Sequence, residues 1–180
     1  EEQTKRSQEH RSKALMKMLD GDEDWQIKTN RPNKLPKSTP ERIRTLVEGG
    51  DTAFDHGDYQ GALKKYSAAL NTGDARSLWA QATRSNAAVA LLMAGDYLNC
   101  AEACKKCIEA DASFLPPYLH LARARRCMGE FTRAQEVLLV ASKLADPAFV
   151  PAIQREAHLL LVQEKDRTLG ALTTNPSTFL

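Results

Sequence analysis

A triplet of glycine, an acid and an aromatic residue recurs along the chain and sets a period that few folds can accommodate. It appears as Gly57-Asp58-Tyr59, Gly95-Asp96-Tyr97 and Gly129-Glu130-Phe131. The second and third glycines are 34 residues apart, and the first two are separated by four residues more, about one helical turn. A fixed period of this length indicates stacked helix–turn–helix units, in which each triplet makes the turn.

The helix predicted after each turn carries apolar residues at the same three positions. These positions follow the spacing i, i+4, i+7, which is one face of a helix. Small residues within each set allow paired helices to approach closely. The three sets are Ala62, Tyr66 and Ala69; Cys100, Cys104 and Cys107; and Ala134, Leu138 and Ala141. One pair of helices cannot bury such a face alone, so the pairs are expected to stack on one another.

These repeats, from about Glu41 to Asp146, resemble the tetratricopeptide repeat family. The resemblance implies an all-α fold, a right-handed superhelix of three helix–turn–helix repeats followed by a C-terminal capping helix. The extra turn before the second repeat is similar to repeat domains of co-chaperones, including those that accompany J domains. In this family the first helix of each pair lines a concave groove that holds a peptide or a partner helix. The resemblance therefore implies a protein-binding adaptor or a co-chaperone-like scaffold.

The composition outside the repeats changes along the chain. Because the chain begins at Glu1 without Met, we expect it to be a piece of a longer protein. The predicted organisation is a charged N-terminal helix in 1–20, a proline-containing linker in 21–40, three repeats in 41–146, a capping helix in 147–168 and a tail in 169–180.

The ends of the predicted helices follow from local signals. The first segment predicts a helix from about Thr4 to Leu19, with a short apolar cluster that is either solvated or docked on the repeats or on a partner. Thr39 is predicted to cap the first repeat. Helical spacing of apolar residues predicts a capping helix from about Val150 to Asp166, with Glu156 facing outward.

Composition excludes several classes of protein. The net charge is +2 with both signs interspersed, which argues against a nucleic-acid-binding face. No apolar run reaches the roughly 18 residues that a membrane span needs. The four cysteines occupy helical positions, as expected in a reducing compartment. We expect a cytoplasmic protein, with the nucleus as an alternative.

Three of the cysteines, Cys100, Cys104 and Cys107, have the C-x3-C-x2-C spacing of radical enzymes that hold an iron–sulfur cluster. Here they coincide with the three core positions of a repeat helix, where cysteine serves as a small hydrophobic residue. The histidines form no metal-binding pattern, and no nucleophile motif accompanies them. We therefore predict a protein that is not an enzyme and needs no cofactor or metal. A metal or redox protein using these cysteines is the alternative.

The resemblance also implies a way to test for a known ligand. In co-chaperone members of the family, five residues clamp the C-terminal carboxylates of heat-shock chaperones that end in Glu-Glu-Val-Asp. They are a Lys and an Asn on the first helix, an Asn on the third, and a Lys and an Arg on the fifth. The matching positions here are Val47, Asp51, Asn86, Pro116 and His120. Only Asn86 keeps the family residue, and Asp51 would repel a carboxylate, so the resemblance implies a broken clamp.

The other residues expected in the groove are mixed in character. Arg123 and Arg126 predict a basic wall on the fifth helix, whereas Asp51 and Asp55 predict an acidic wall on the first. A mixed-charge amphipathic helix or extended segment of another protein fits such a groove. Four apolar residues are expected to form its floor: Phe54, Leu92, Met93 and Leu119.

Two further possibilities stay open. A non-standard clamp could bind a chaperone's Glu-Glu-Val-Asp tail, and this binding would fail at high salt. Its members would be Arg44, Asn86, His120 and Arg123. Alternatively, the protein self-associates, with residues 1–20 or the tail filling the groove of a neighbour. No nucleic acid and no membrane is expected as a partner.

Overall fold

The computed structural model describes residues 34–72, 76–145, 147 and 149–174, with side chains up to residue 168. These ranges are helical with short connections and contain no strand. The predicted helix from Thr4 to Leu19, most of the predicted linker and the last six residues lie outside them. The described helices are α1 (Glu41–Asp55), α2 (Tyr59–Leu70), α3 (Leu78–Met93), α4 (Tyr97–Ala110), α5 (Pro116–Cys127), α6 (Phe131–Leu144) and α7 (Val150–Thr174).

The recurring triplets make the turns inside the three pairs. Gly57, Gly95 and Gly129 have backbone φ angles of +77°, +80° and +76°, in the left-handed region that glycine reaches without strain. The residues after the first two glycines, Asp58 and Asp96, then cap the next helix, because each side chain accepts a hydrogen bond from a backbone N–H three residues later. In the third triplet Glu130 occupies the cap position but its side chain makes no such bond, so the turn is common to all three pairs and the side-chain cap to the first two.

The predicted core positions are confirmed. All nine small and bulky residues of the three sets are buried between the paired helices. The first pair is in close contact at Gly50 in α1, where an added Cβ would lie 2.5 Å from the ring of Tyr66 in α2. Only a glycine allows this ring to pack against the backbone of α1.

The helices stack in chain order, each against the next. The first helices of the pairs also contact one another: α3 packs against α5, and α5 packs against α7. We call the surface formed by α1, α3, α5 and the first half of α7 the inner face, because these helices lie side by side along the stack. In the described ranges, no helix is long and apolar enough to cross a lipid bilayer.

Three predictions about helix ends and faces are wrong. Thr39 does not cap α1: Pro40 occupies the cap position, and the Thr39 hydroxyl donates to the carbonyl oxygen of Pro36 at 2.7 Å. α7 extends eight residues beyond Asp166, so residues 169–174 of the predicted tail are helical. Glu156 does not face outward but is completely buried.

Candidate functional site

One end of the inner face is organised around the carboxylate of Asp51 in α1. The hydroxyl of Tyr66 in α2 donates to Asp51 Oδ1 at 2.7 Å, and Asn86 Nδ2 in α3 donates to the same oxygen at 3.4 Å. Both donors are fully buried. We call Asp51, Tyr66 and Asn86 the aspartate cluster. It joins three successive helices through one acceptor.

The aspartate cluster lies in a negative environment. Burial raises the pKa of Asp51, the two hydrogen bonds oppose this rise, and the charges of Asp55 and Glu48 add to it. Burial and the Asp51 carboxylate together raise the pKa of Tyr66 far above its usual range, so its hydroxyl remains a donor. Glu48 and Asp55 are exposed. The three carboxyl groups therefore form an acidic stripe along α1.

The other end of the inner face is organised around Glu156 in α7. Its Oε2 accepts from Nε of Arg123 at 2.8 Å, and its Oε1 accepts from Nε of Arg126 at 2.6 Å. Arg126 also donates from Nη1 to Gln163 Oε1 at 2.8 Å. We call Arg123, Arg126 and Glu156 the arginine cluster. The side chains of these three residues are only 5%, 12% and 1% exposed, respectively, so the charges meet largely out of water.

The arginine cluster fastens the last helix to the third pair. Buried charges are retained only when they are paired, because an unpaired charge in the interior has a large desolvation penalty. Charge-assisted hydrogen bonds also require good alignment. Glu156 therefore fixes the position of α7 against α5.

Sequence reasoning missed Glu156, although its spacing carried a signal. The residue lies three positions after Ile153 and four before Leu160, and both of these are buried. Residues three and four apart share a helix face, so Glu156 stands on the apolar side of α7. An acid on such a face indicates a buried cationic partner.

His120, at the position of the family's clamp arginine, is neutral. It is buried, and its Nδ1 has no hydrogen-bond partner among the described atoms. Burial, aided by the positive charge of Arg123, lowers the pKa of His120 to about 3. Pro116, at the position of the clamp lysine, is the first residue of α5. Neither residue offers a positive charge to a ligand at neutral pH.

The predicted groove residues differ in their exposure. Arg44, Asp51 and Arg126 are partly exposed, and Asp55 and Met93 are exposed, Met93 by 39%. Seven others are buried: Val47, Phe54, Asn86, Leu92, Leu119, His120 and Arg123.

Arg44 makes its contacts with residues close to it in the chain. Its Nη2 donates to the carbonyl oxygens of Pro36 and Lys37, at 3.3 and 3.1 Å. Its guanidinium also lies 3.9 Å from the carboxylates of Glu41 and Glu48. These contacts hold the segment before α1 against that helix.

The cysteines of the C-x3-C-x2-C pattern are core residues of α4. Cys100, Cys104 and Cys107 are buried, with 4.0 Å between the Sγ atoms of the first two. The hydrogen bond to Cys100 and burial raise the pKa of Cys104, and burial raises the pKa of Cys107 to about 11. Metal binding and nucleophilic attack both need the thiolate. Among the described residues, no group of three or more histidines, cysteines and acids is arranged to hold a metal ion.

No protein-family model matches the chain, and no curated protein is similar to it in sequence. Solved structures are similar in fold. The TPR2B-domain:pHsp70 complex of yeast Sti1 matches with a TM-score of 0.61 at 21% identity, over 69% of this chain and 99% of that chain.

Two further similar structures hold chaperone peptides. The second TPR of Spaghetti (RPAP3), bound to the HSP90 peptide SRMEEVD, matches at 20% identity with a TM-score of 0.52, over 58% of this chain and 94% of that one. The second TPR domain of human RPAP3, in complex with the HSP70 peptide SGPTIEEVD, matches at 18% identity with a TM-score of 0.54, over 66% and 97%. The chain therefore has the all-α superhelical fold of tetratricopeptide repeat domains.

Proposed function

We propose that this chain is a protein-interaction module, an adaptor or co-chaperone-like scaffold and not an enzyme, that binds a segment of another protein along its inner face. The fold supports this proposal, because similar structures hold peptides. The observation that carries the proposal is a difference in the accessibility of charge. The acidic stripe of α1 is exposed to solvent, whereas Arg123 and Arg126 of α5 are paired with Glu156.

The partner segment that fits best brings a cationic group to the acidic stripe. Asp55 and Glu48 of α1 are exposed, and so is Met93 at the end of α3. Opposite charges across an interface steer the encounter and set its register. We propose a mixed-charge helix or extended segment with a lysine or arginine near Asp55 and an apolar side chain near Met93.

An acidic C-terminal tail fits less well. Val47 and Pro116 stand where the family's clamp has lysines, His120 is neutral, and Asp51 brings a negative charge. Arg123 and Arg126, three and six residues after His120 on α5, already bind a carboxylate. A ligand tail would have to displace Glu156 before it could pair with either of them.

The second candidate function is binding of a chaperone's C-terminal peptide through a non-standard clamp. It is favoured by the similar structures that hold such peptides. Of the four residues such a clamp would use, Asn86 donates to Asp51, Arg44 to backbone carbonyls and Arg123 to Glu156. This function therefore requires the inner face to rearrange, and the preferred one does not.

Selection from a displayed library of random peptides, using the whole chain as bait, tests the preferred function. We expect enriched peptides to combine a basic residue with an apolar one and to bind with micromolar Kd. Asp55→Lys and Met93→Asp should each weaken this binding at least about tenfold, or about 1.4 kcal/mol. Leu98→Ser, at an exposed leucine of α4, is the matched control and should leave binding unchanged.

Two results would contradict the preferred function. One is the absence of enrichment. The other is enrichment of peptides whose affinity is the same for the wild type, Asp55→Lys and Met93→Asp. Enrichment of peptides ending in acidic residues would support the second candidate instead.

We also propose the cytoplasm, or the nucleus, as the place of action. All four cysteines are free thiols, and one of them, Cys127, is exposed. A reducing compartment keeps an exposed thiol from oxidising.

A further inference from the structure

A recess lies between α4 and α6, the second helices of the second and third pairs. Both helices pack on α5, and the space between them is a cavity of about 320 Å³. The buried side chains of Tyr118 and Leu121 form its floor from α5, while Ile108 lines it from α4 and Val137 from α6. We call this recess the outer cleft, because α4 and α6 are not part of the inner face.

The apolar surface of the outer cleft continues beyond the recess along α6. Val140 also lines the cleft and is 45% exposed, and Leu144, one helical turn later, is 46% exposed. Together with Val137 they follow the spacing i, i+3, i+7, which is one face of a helix. The cavity is at the small end of ligand pockets, which hold about 300–1,000 Å³. A single apolar side chain suits the recess, and the strip on α6 gives contact area to its neighbours in a peptide segment.

Two carboxylates stand on opposite walls of the outer cleft. Glu109 lines it from α4 and Glu136 from α6, and both residues are exposed. Neither carboxylate is paired with a cation among the described residues. Lys105, which also lines the cleft, is paired with Glu102. The outer cleft therefore combines an apolar floor with unbalanced negative charge on both walls.

This combination selects the chemistry of an occupant. Carboxylates on both walls repel an acidic segment and the same cleft of a second copy, whereas they attract lysine and arginine. The apolar floor stabilises a buried aliphatic or aromatic side chain, and a purely polar cation would lose its hydration there without compensation. The ligand that satisfies both conditions is a protein segment in which basic residues flank an apolar one.

We propose that the outer cleft is a second docking surface, which binds a cationic segment of another protein through one apolar anchor. The anchor enters the recess over Tyr118 and Leu121, and the basic residues on either side of it pair with Glu109 and Glu136. The chain then joins two protein segments, one on the inner face and one in the outer cleft. The cleft shares no lining residue with the acidic stripe, so binding here does not require the partner proposed for the inner face.

Methyl NMR of the whole chain, isotope-labelled at the methyl groups of isoleucine, leucine, valine and methionine, tests this proposal. The probe is the peptide Lys-Ala-Leu-Leu-Ala-Lys with both ends blocked. We expect the methyl signals of the cleft to shift until saturation, with a Kd on the order of 1 mM or below. The signal of Met93 reports binding to the inner face separately. The reporting residues of the cleft are Ile108, Leu121, Val137 and Val140.

Two control peptides separate the contribution of charge from that of the apolar anchor. Glu-Ala-Leu-Leu-Ala-Glu keeps the leucines and reverses the charge, whereas Lys-Ala-Ser-Ser-Ala-Lys keeps the charge and removes the anchor. Each control should bind the outer cleft at least about tenfold more weakly than the probe.

Matched variants locate the binding on the protein. Glu109→Lys and Glu136→Lys should each weaken binding of the probe at least about threefold, because each brings a like charge to the lysines of the peptide. Asp166→Lys, at an exposed acid of α7, changes the net charge equally and should leave binding unchanged. Val140→Ser should weaken binding, whereas Leu98→Ser, at an exposed leucine of α4, should not.

Four results would overturn the proposal. One is the absence of any shift in the cleft methyl signals up to about 5 mM probe. The second is equal affinity for the acidic peptide, which would mark the recess as an unselective apolar surface. The third is equal affinity for the serine peptide, which would reduce the binding to general attraction between charges. The fourth is undiminished binding by the Glu109→Lys/Glu136→Lys double variant, shown by circular dichroism to be as helical as the wild type.

Discussion

The aspartate cluster holds a partly exposed carboxylate and the arginine cluster a buried one, and the two carboxylates accept hydrogen bonds from different kinds of donor. Asp51 receives two neutral donors, Tyr66 and Asn86, and its negative charge remains uncompensated beside Asp55 and Glu48. Glu156 accepts hydrogen bonds from two guanidinium groups, and these positive charges neutralise its carboxylate. The negative charge of the aspartate cluster therefore acts on groups in the solvent. The charges of the arginine cluster are paired with one another inside the fold.

This difference shows how one end of the inner face can bind a ligand while the other end stabilises the fold. The bonds of both clusters are made to a carboxylate, and hydrogen bonds to charged groups contribute about 1.5–3 kcal/mol each. In the arginine cluster the donors are charged as well, and Arg126 lies 2.6 Å from Glu156 whereas Asn86 lies 3.4 Å from Asp51. The arginine cluster is therefore the stronger tie, and it joins the last helix to the third pair. The aspartate cluster is the weaker tie and the more useful for attracting a ligand.

Removing Glu156 should have the largest effect. Glu156→Leu leaves two largely buried guanidinium groups without their carboxylate, and loss of one partner from a buried pair costs about 3–5 kcal/mol. We expect a loss of this size in the free energy of unfolding, measured by urea denaturation at pH 7.

The matched control for Glu156→Leu replaces all three charges. The triple variant Arg123→Leu/Arg126→Leu/Glu156→Leu should recover most of the lost stability, because a buried ionic cluster exchanged for apolar residues is often neutral. If Glu156→Leu lowers the free energy of unfolding by less than about 1 kcal/mol, the arginine cluster does not stabilise the fold.

Acid should weaken the fold through His120, next to the arginine cluster. Its pKa is about 3 in the fold and about 6.5 in an unfolded chain. Between these values the unfolded state binds a proton that the folded state does not. The free energy of unfolding should therefore fall as the pH falls, by about 1.4 kcal/mol per pH unit, or about 2 kcal/mol from pH 6.5 to 5.

Urea denaturation at several pH values isolates the contribution of His120. His120→Gln should remove this part of the pH dependence, whereas His56→Gln, at an exposed histidine, should leave it unchanged. Equal slopes in the wild type and His120→Gln would mean that His120 is not held neutral.

The smallest effect is expected at the aspartate cluster. Tyr66→Phe removes the donor that lies 2.7 Å from Asp51 and keeps the ring that packs on Gly50. We expect a loss of about 1–2 kcal/mol in the free energy of unfolding, because a partly buried carboxylate loses one hydrogen bond. Tyr59→Phe, whose ring meets Phe54 edge-on at 5.4 Å, is the control and should change stability less. If both variants lose the same amount, the Asp51 contact adds nothing.

The sequence could predict those features of the fold that depend on the backbone preference of one residue or on a repeated spacing. Gly57 and its counterparts mark turns because of their own backbone preference, and residues such as Ala62 mark the core because their spacing repeats. The family resemblance placed Asp51 and Asn86 in one groove, but the hydrogen bond between them depends on how two repeats stack. That stacking is set by the whole interface between the pairs.

The burial of Glu156 and the exposure of Leu161 could not be predicted for a related reason. Both follow the helical pattern of α7, and a simple division into apolar and polar residues places Leu161 inside and Glu156 outside. The structure reverses these positions, because Arg123 and Arg126, some 30 residues earlier, offer a partner to Glu156. Leu161 is exposed. A long-range charge partner is not visible in the pattern of one helix.

The most direct test is calorimetric titration of the whole chain with the peptides SRMEEVD and SGPTIEEVD at low salt. Because Glu156 occupies the arginines of α5 and Asp51 repels carboxylates, we expect no saturable heat up to on the order of 1 mM peptide. Saturable micromolar binding that weakens as salt is added would contradict the account. It would mean that Glu156 yields its arginines to a ligand and that the inner face is a receptor for acidic tails.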